Sequence, residues 1–253
     1  RPIAFDNRDT GLSSRIQSTS FDDENRDSTI IRSYIRYFLR LPINSEYTVD
    51  DMADDAILVL DALNIDKAHV LGISMGGMIA QIVASNHAER INTFTLIAST
   101  ASTPSPFNGP TRKVRKLLMD RTKNPNATVD ERVERTRKIF KEIGYQGIDL
   151  NTEEFYKDVS ISIKRGGQDD TGFGRQLSAI LGSNNRINKV KSISAPTLII
   201  HGKDDPLIKV KNAYKMNNLI KGSKLIIIDD MRHLIEPPVF NQFKEDLLFH
   251  LSQ

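Results

Sequence analysis

The residues with the clearest capacity for chemistry lie in Gly72-Ile73-Ser74-Met75-Gly76, a segment with the spacing G-x-S-x-G. The apolar run Ala68–Ile73 predicts a strand before the serine, and the spacing of apolar residues in Met75–Ser85 predicts a helix after it. A serine at such a sharp turn stands at a helix N-terminus, where the backbone N–H of the next residue stabilises an oxyanion. The pattern therefore predicts Ser74 as a nucleophile and Met75 as an oxyanion-hole donor.

A serine hydroxyl needs a base within hydrogen-bonding reach to act as a nucleophile. Of the five histidines, four lie in or directly after predicted strands and helices, where structural or surface roles are expected: His69, His87, His201 and His250. His233 differs, because it follows the last predicted strand in a segment that reads as a loop. We therefore predict His233 as the base.

The acid that orients the base is expected after the preceding strand, predicted at Thr197–His201. Two neighbouring carboxylates stand there, Asp204 and Asp205. Either can hold the imidazole in one tautomer and stabilise its cation. Asp205 is favoured, and Asp204 remains the alternative.

The elements around these residues predict an α/β fold. Strand and helix patterns alternate up to Ser102, beginning with a short buried strand at Ile3–Phe5, and the alternation resumes after Pro196. Such alternation is typical of a mostly parallel sheet with helices on both faces. The sequence thus predicts a core formed by residues 1–102 and 192–253.

Residues 103–191 contain no convincing strand pattern, and we interpret them as a helical cap inserted into the core. Candidate helices lie near residues 112–121, 129–143, 153–164 and 174–181. A cap over the strand ends acts as a lid. Its large apolar side chains are candidates for a substrate pocket: Phe107, Leu117, Met119, Phe140, Phe155, Tyr156 and Phe173.

Composition excludes several classes of function. The chain has 253 residues, of which 39% are hydrophobic and 26% charged, so it can bury a core. The absence of cysteine excludes disulfides and cysteine metal sites, and it favours a reducing, cytoplasmic compartment. The 35 basic and 32 acidic residues are interspersed, which argues against a nucleic-acid surface, and no apolar run is long enough to span a bilayer. The predicted chemistry needs no metal or organic cofactor.

Over its full length the chain resembles the α/β-hydrolase superfamily, and within it the aclacinomycin methylesterase type. The resemblance lies in the turn Phe5–Ser13, the segment Gly72–Gly76, the acid loop Pro196–Pro206 and the histidine loop Met231–Pro237. Residues at the end of the cap also resemble that family: Arg175, Gln176, Ala179, Ile180 and Arg186. The chain order serine, acid, histidine also agrees with this fold.

The resemblance implies hydrolysis of a carboxylic ester of a small or medium apolar molecule through an acyl-enzyme. A serine at position 74, rather than an aspartate, argues against dehalogenase or epoxide-hydrolase chemistry. Two alternatives stay open: another serine-triad reaction such as C–C bond hydrolysis or perhydrolysis, and a weakly catalytic relative that binds a ligand.

The chain departs from the family pattern in two places. Arg232 replaces a small residue beside His233 and is expected to narrow the site. The family's first three strands, with a His-Gly loop that supplies the second oxyanion donor, are expected before Arg1, over about 40 residues at ordinary strand and loop lengths.

Overall fold

The computed structural model describes residues 1–16, 33, 35–39, 41–103, 109–120, 127–166, 171–183 and 185–253. The strands within these ranges are β1 (Ala68–Ile73), β2 (Ile91–Ile97), β3 (Thr197–Gly202) and β4 (Lys224–Ile228). The helices are α1 (Val49–Ala62), α2 (Met75–Asn86), α3 (Arg112–Asp120), α4 (Val129–Ile143), α5 (Glu153–Arg165), α6 (Thr171–Gly182), α7 (Ile187–Lys191), α8 (Lys211–Leu219), α9 (Pro237–Phe240) and α10 (Lys244–Leu251). None of these helices combines the length and the apolar character needed to cross a membrane.

The four strands form one parallel sheet in the order β1-β2-β3-β4. Every residue of β3 is buried, as expected for a central parallel strand that reads as a continuous apolar run. Parallel pairing brings the carboxyl ends of all four strands to one edge of the sheet, where Ile73 pairs with Ile97 and Ile97 with Ile200. The predicted α/β architecture with a parallel sheet is confirmed.

The prediction of a buried strand at Ile3–Phe5 is wrong. The segment has no strand assignment, and the side chains of Ile3 and Phe5 are 44% and 42% exposed. An extended segment becomes a strand only when a neighbour accepts and donates its backbone hydrogen bonds. Among the described residues, no strand pairing involves residues 3–5.

The chain divides into two compact units. The first, here called the sheet unit, comprises residues 49–114, 142–147 and 184–253 and contains the whole described sheet. A buried cluster of this unit joins side chains of β2, β3 and β4 to those in and next to the last two helices: Ile97, Leu198, Ile200, Ile228, Val239, Phe243 and Leu247. This cluster anchors the strand ends from which the polar loops emerge.

The second unit, here called the helical unit, comprises residues 1–48, 115–141 and 148–183. The predicted helices near residues 112–121, 129–143, 153–164 and 174–181 correspond to α3, α4, α5 and α6. The predicted boundaries of core and cap, at residues 102/103 and 191/192, stay a prediction.

A buried ion pair joins two side chains of the helical unit. Arg175 donates from Nε and Nη2 to the two carboxylate oxygens of Asp9, at 2.8 and 2.9 Å, and the two side chains are only 4% and 0% exposed. Burial by itself raises the pKa of Asp9, but the bonds from Arg175 and from the Ile16 N–H outweigh it and hold that pKa below its ordinary value. Asp9 is therefore held as a carboxylate. Its backbone lies in the left-handed region, at φ 68°.

We expect Arg175→Met to lower the free energy of unfolding by about 3 kcal/mol or more, because it leaves a buried carboxylate without its partner. The measurement is urea unfolding followed by circular dichroism. The matched control is Arg165→Met, which removes a guanidinium that pairs with Asp6 at 2.7 Å but is half exposed. We expect a much smaller change there, and equal losses in both variants would contradict the role of the buried pair.

Candidate active site

Ser74 lies in the turn between β1 and α2, with φ 54° and ψ −117°. A left-handed backbone is costly for a residue that carries a Cβ, so neighbouring bonds must hold it. The N–H of Ser74 donates to the carbonyl of Ile97 at 3.0 Å. Its carbonyl accepts the hydroxyl of Ser99 at 2.7 Å and the N–H of Met78 at 3.2 Å. The end of β2 thus fixes both sides of the serine's backbone.

Two glycines are sterically required around this turn, and only one of them was expected from the motif. A Cβ on Gly72 would lie 2.4 Å from the Gly76 carbonyl oxygen. A Cβ on Gly77 would lie 2.6 Å from the Cβ of Ser99 and 2.7 Å from Leu96 Cδ1, whereas one on Gly76 would meet nothing within 4 Å. The close approach of α2 to β2 therefore depends on Gly77, whereas the motif glycine at position 76 is not required by space.

In the structure, the part of the acid loop that follows β3 runs from Lys203 to Ile208. Asp205 Oδ1 accepts the backbone N–H groups of Leu207 and Ile208, each at 2.8 Å. Asp205 Oδ2 accepts Nδ1–H of His233 at 2.7 Å. Asp204 is exposed, while the side chain of Asp205 is completely buried. Of the two candidate acids, only Asp205 meets the histidine.

The histidine loop lies directly against the acid loop. A Cβ on Gly202 would come within 2.1 Å of the Arg232 carbonyl oxygen, so the two backbones touch at this glycine. The backbone N–H of His233 donates to the carbonyl of Ile143 at 2.8 Å, and the ring Nε2 lies 3.0 Å from Ser74 Oγ. Because the Asp205 carboxylate is an acceptor, the proton stands on Nδ1 and Nε2 accepts from the serine hydroxyl.

Arg232 has a partner that the sequence did not disclose. Its Nη1 donates to the carbonyl of Glu142 at 2.6 Å, near the C-terminal end of α4. A cation is favourable at this end of a helix, where carbonyls lack intrahelical donors. Glu236 makes a parallel link, because its Oε1 accepts the N–H of Tyr145 at 2.9 Å. These contacts fasten the histidine loop to residues 142–145 from both sides of His233.

Met75 is the first residue of α2, so its backbone N–H is among those with no acceptor inside the helix. Ser99 lies outside the G-x-S-x-G motif, so the motif offers no reason to select it. Its position directly after the neighbouring strand, at the level of the serine turn, is the signal that indicates its contact with Ser74.

The residues predicted to line a substrate pocket are distributed over several environments. Phe140 and Phe155 pack edge to face with ring centroids 5.8 Å apart. Phe140 and Phe173 also line a cavity of about 590 Å³ within the helical unit. Tyr156 is exposed and donates to Asp130 at 2.5 Å. Two of the remaining candidates are half-buried, namely Leu117 and Met119, and Phe107 lies outside the described residues.

Comparison with known proteins finds one family over nearly the whole chain. The sequence profile described as alpha/beta hydrolase fold matches residues 1–235. The chain is 25% identical over 248 residues to rhodomycin D methylesterase of Streptomyces peucetius, covering 92% of this chain and 75% of that protein. It is 28% identical over 200 residues to 2-hydroxy-6-oxononadienedioate/2-hydroxy-6-oxononatrienedioate hydrolase of a Pseudomonas species, covering 77% of this chain and 66% of that protein.

A solved structure has a similar fold. The crystal structure of a hydrolase from Pseudomonas aeruginosa superposes with a TM-score of 0.69, at 20% identity, and covers 98% of this chain and 78% of that one. At this identity the likeness concerns the fold.

We expect Gly77→Ala to lower the free energy of unfolding by about 1–3 kcal/mol, because the new methyl group overpacks the contact with Ser99 and Leu96. Gly76→Ala is the control in the same helical turn, and we expect it to be neutral or slightly stabilising, since alanine favours the helix and its Cβ has room. Urea unfolding measures both. A loss for Gly76→Ala as large as that for Gly77→Ala would contradict the steric argument.

Proposed function

Because the chain belongs to the alpha/beta hydrolase fold family, we propose that it hydrolyses a carboxylic ester of a small or medium apolar molecule through Ser74, His233 and Asp205. One observation carries the proposal. A continuous row of hydrogen bonds runs from Ser74 Oγ to His233 Nε2, at 3.0 Å, and from His233 Nδ1 to Asp205 Oδ2, at 2.7 Å. Such a row joins a nucleophile, a general base and the group that orients the base.

In the first half of the proposed reaction, Ser74 Oγ attacks the ester carbonyl while His233 Nε2 takes the hydroxyl proton. The imidazolium that results stays hydrogen-bonded to the Asp205 carboxylate, which stabilises its charge. The negative charge that develops on the carbonyl oxygen is stabilised by the N–H of Met75 at the start of α2. His233 then protonates the alkoxide that leaves, and an acyl group remains on Ser74.

In the second half, a water molecule replaces the alcohol. His233 Nε2 takes a proton from this water, and the hydroxide attacks the acyl carbon. The tetrahedral species collapses with release of the carboxylic acid, and the proton returns from His233 to Ser74 Oγ. The same base thus works twice, which requires that Asp205 hold the ring in one orientation throughout.

The choice of an ester is supported by the similarity to rhodomycin D methylesterase. A second candidate is favoured by the similarity to 2-hydroxy-6-oxononadienedioate hydrolase. The compound in that name contains no ester, so its hydrolysis breaks a carbon–carbon bond. Both reactions use the same serine and base, and comparing turnover of a series of methyl esters with that of a 2-hydroxy-6-oxo-dienoate distinguishes them.

We expect a fluorophosphonate probe to label the wild-type chain and to leave Ser74→Ala unlabelled, because the probe phosphonylates only an activated serine. Labelling is read by in-gel fluorescence and by the mass of the peptide that carries the probe. Ser85→Ala, in the same helix, is the control and should label as the wild type does. Labelling that persists in Ser74→Ala, or that is absent from the wild type, would sink the proposal.

We expect Asp205→Asn to lower kcat for a p-nitrophenyl ester by about 10⁴, because an amide in place of the carboxylate holds the imidazole in the wrong tautomer. Asp204→Asn removes a neighbouring carboxylate that is exposed, so its kcat should stay within a factor of about 3 of the wild type. Steady-state kinetics of the two variants measure the difference. If Asp204→Asn were the more damaging change, Asp205 would not be the acid.

A further inference from the structure

His201 is a second histidine that faces the carboxylate of Asp205. It lies in β3 and is 0% exposed. Its ring Nε2 donates to the carbonyl of Ile208 at 2.7 Å and lies 3.4 Å from Asp205 Oδ2, the oxygen that also accepts from His233. We propose that His201 is a positioning residue: its Nε2–H holds the acid loop closed and fixes the carboxylate of Asp205 in the orientation that His233 requires. This inference rests on the proposed roles of Asp205 and His233.

The contacts assign one tautomer to the His201 ring. A carbonyl oxygen only accepts, so the proton stands on Nε2. Nδ1 is buried and has no partner among the described residues, and a proton there would be a buried donor without an acceptor. Burial is the largest influence on the ring and lowers the pKa of His201, against the opposing effects of the Ile208 carbonyl and the Asp205 charge. The ring is therefore neutral around pH 7, with its hydrogen on Nε2.

The neutral state matters because of the other charges nearby. Asp205 and His233 are the ionisable groups that act on the ring of His201 through their charges. A cation at His201 would share the Asp205 carboxylate with the imidazolium of His233 and would oppose its formation. A neutral N–H provides a fixed dipole without a second positive charge, so the full carboxylate charge stays available to His233.

The loop geometry explains what the bond to Ile208 accomplishes. The N–H of Ile208 donates to Asp205 Oδ1, and the carbonyl of the same residue accepts from His201. His201 therefore holds the residue that in turn holds one oxygen of the carboxylate, while its N–H faces the other oxygen. Without this bond the Ile208 carbonyl would lose its donor and Asp205 Oδ2 would lose the N–H that faces it, so only Leu207 and His233 would still fix the carboxylate.

A purely packing role for His201 makes the opposite prediction for a matched pair of variants. The side-chain amide nitrogen of glutamine stands the same number of bonds from the backbone as Nε2 of histidine and also donates. Phenylalanine reproduces the flat ring but has no donor. If the N–H is what matters, His201→Gln is the better replacement, and if ring volume is what matters, His201→Phe is.

The first test is the pair of variants in the full chain, with p-nitrophenyl acetate as the substrate and kcat and KM measured separately between pH 5.5 and 9. We expect His201→Phe to lose about 10- to 100-fold in kcat, as when a group that orients a functional side chain is removed, with KM changed less than about 3-fold. His201→Gln should retain most of kcat. A better rate for His201→Phe, or equal rates for the two variants, would overturn the proposal.

The second test does not depend on turnover or on the folding of a variant. In wild-type chain with ¹⁵N-labelled histidines, NMR reads the tautomer and charge of each ring. We expect His201 to be the neutral Nε2–H tautomer between pH 7 and pH 8. A cationic ring or an Nδ1–H tautomer in this range would overturn the inference. Since this readout needs no substrate, it separates failure of the His201 inference from failure of Ser74 to react with the probe.

Discussion

The left-handed backbone of Ser74 is the constraint on which the rest of the site depends. At φ 54° the turn directs the side chain out of the β1–α2 junction, but the conformation is unfavourable for any residue other than glycine. The neighbouring strand compensates, because Ile97 accepts the N–H of Ser74 and Ser99 donates to its carbonyl. These bonds form only if α2 approaches β2 closely, which the absence of a side chain at Gly77 permits. The strained conformation of Ser74 therefore depends on the hydroxyl of Ser99, and the position of Ser99 depends in turn on the absence of a side chain at Gly77.

The parallel sheet turns this local arrangement into a site. All four strands end at the same edge, so loops distant in sequence meet there. The acid loop after β3 and the histidine loop after β4 touch at Gly202, where a side chain would collide with the Arg232 carbonyl. The short distances from Asp205 to His233 and from His233 to Ser74 therefore depend on backbone contacts as much as on the side chains themselves. The register of the strand pairs also matters, because it sets where each strand ends relative to its neighbour and therefore where the following loop begins.

The sequence predicted the fold class and most element positions, because apolar periodicity reports directly on burial. It failed where the outcome depends on a partner. Ile3–Phe5 has the apolar character of a strand, yet hydrogen bonding to a neighbour decides whether a strand forms, and periodicity says nothing of that. The pattern favoured Asp205 and kept Asp204 open, and what distinguishes them in the structure is that Asp205 is buried and Asp204 is exposed. The contacts of Ser99, Gly77 and Arg232 are likewise invisible until the loops are assembled.

The surroundings of Asp205 illustrate how a buried charge is kept in a useful form. A carboxylate removed from water is costly unless donors replace its hydration. Here Leu207 and Ile208 donate to Oδ1, and His233 donates to Oδ2, so three hydrogen bonds satisfy the anion. Of these three donors, only His233 also contacts Ser74, because its Nε2 accepts the hydroxyl of that serine. The two backbone donors do not titrate, and they leave the negative charge directed at the one ring that changes its protonation during the proposed reaction. A neutral His201 has the same effect, because it adds no positive charge beside Oδ2. A cation there would compete with His233 for the negative charge that stabilises its imidazolium.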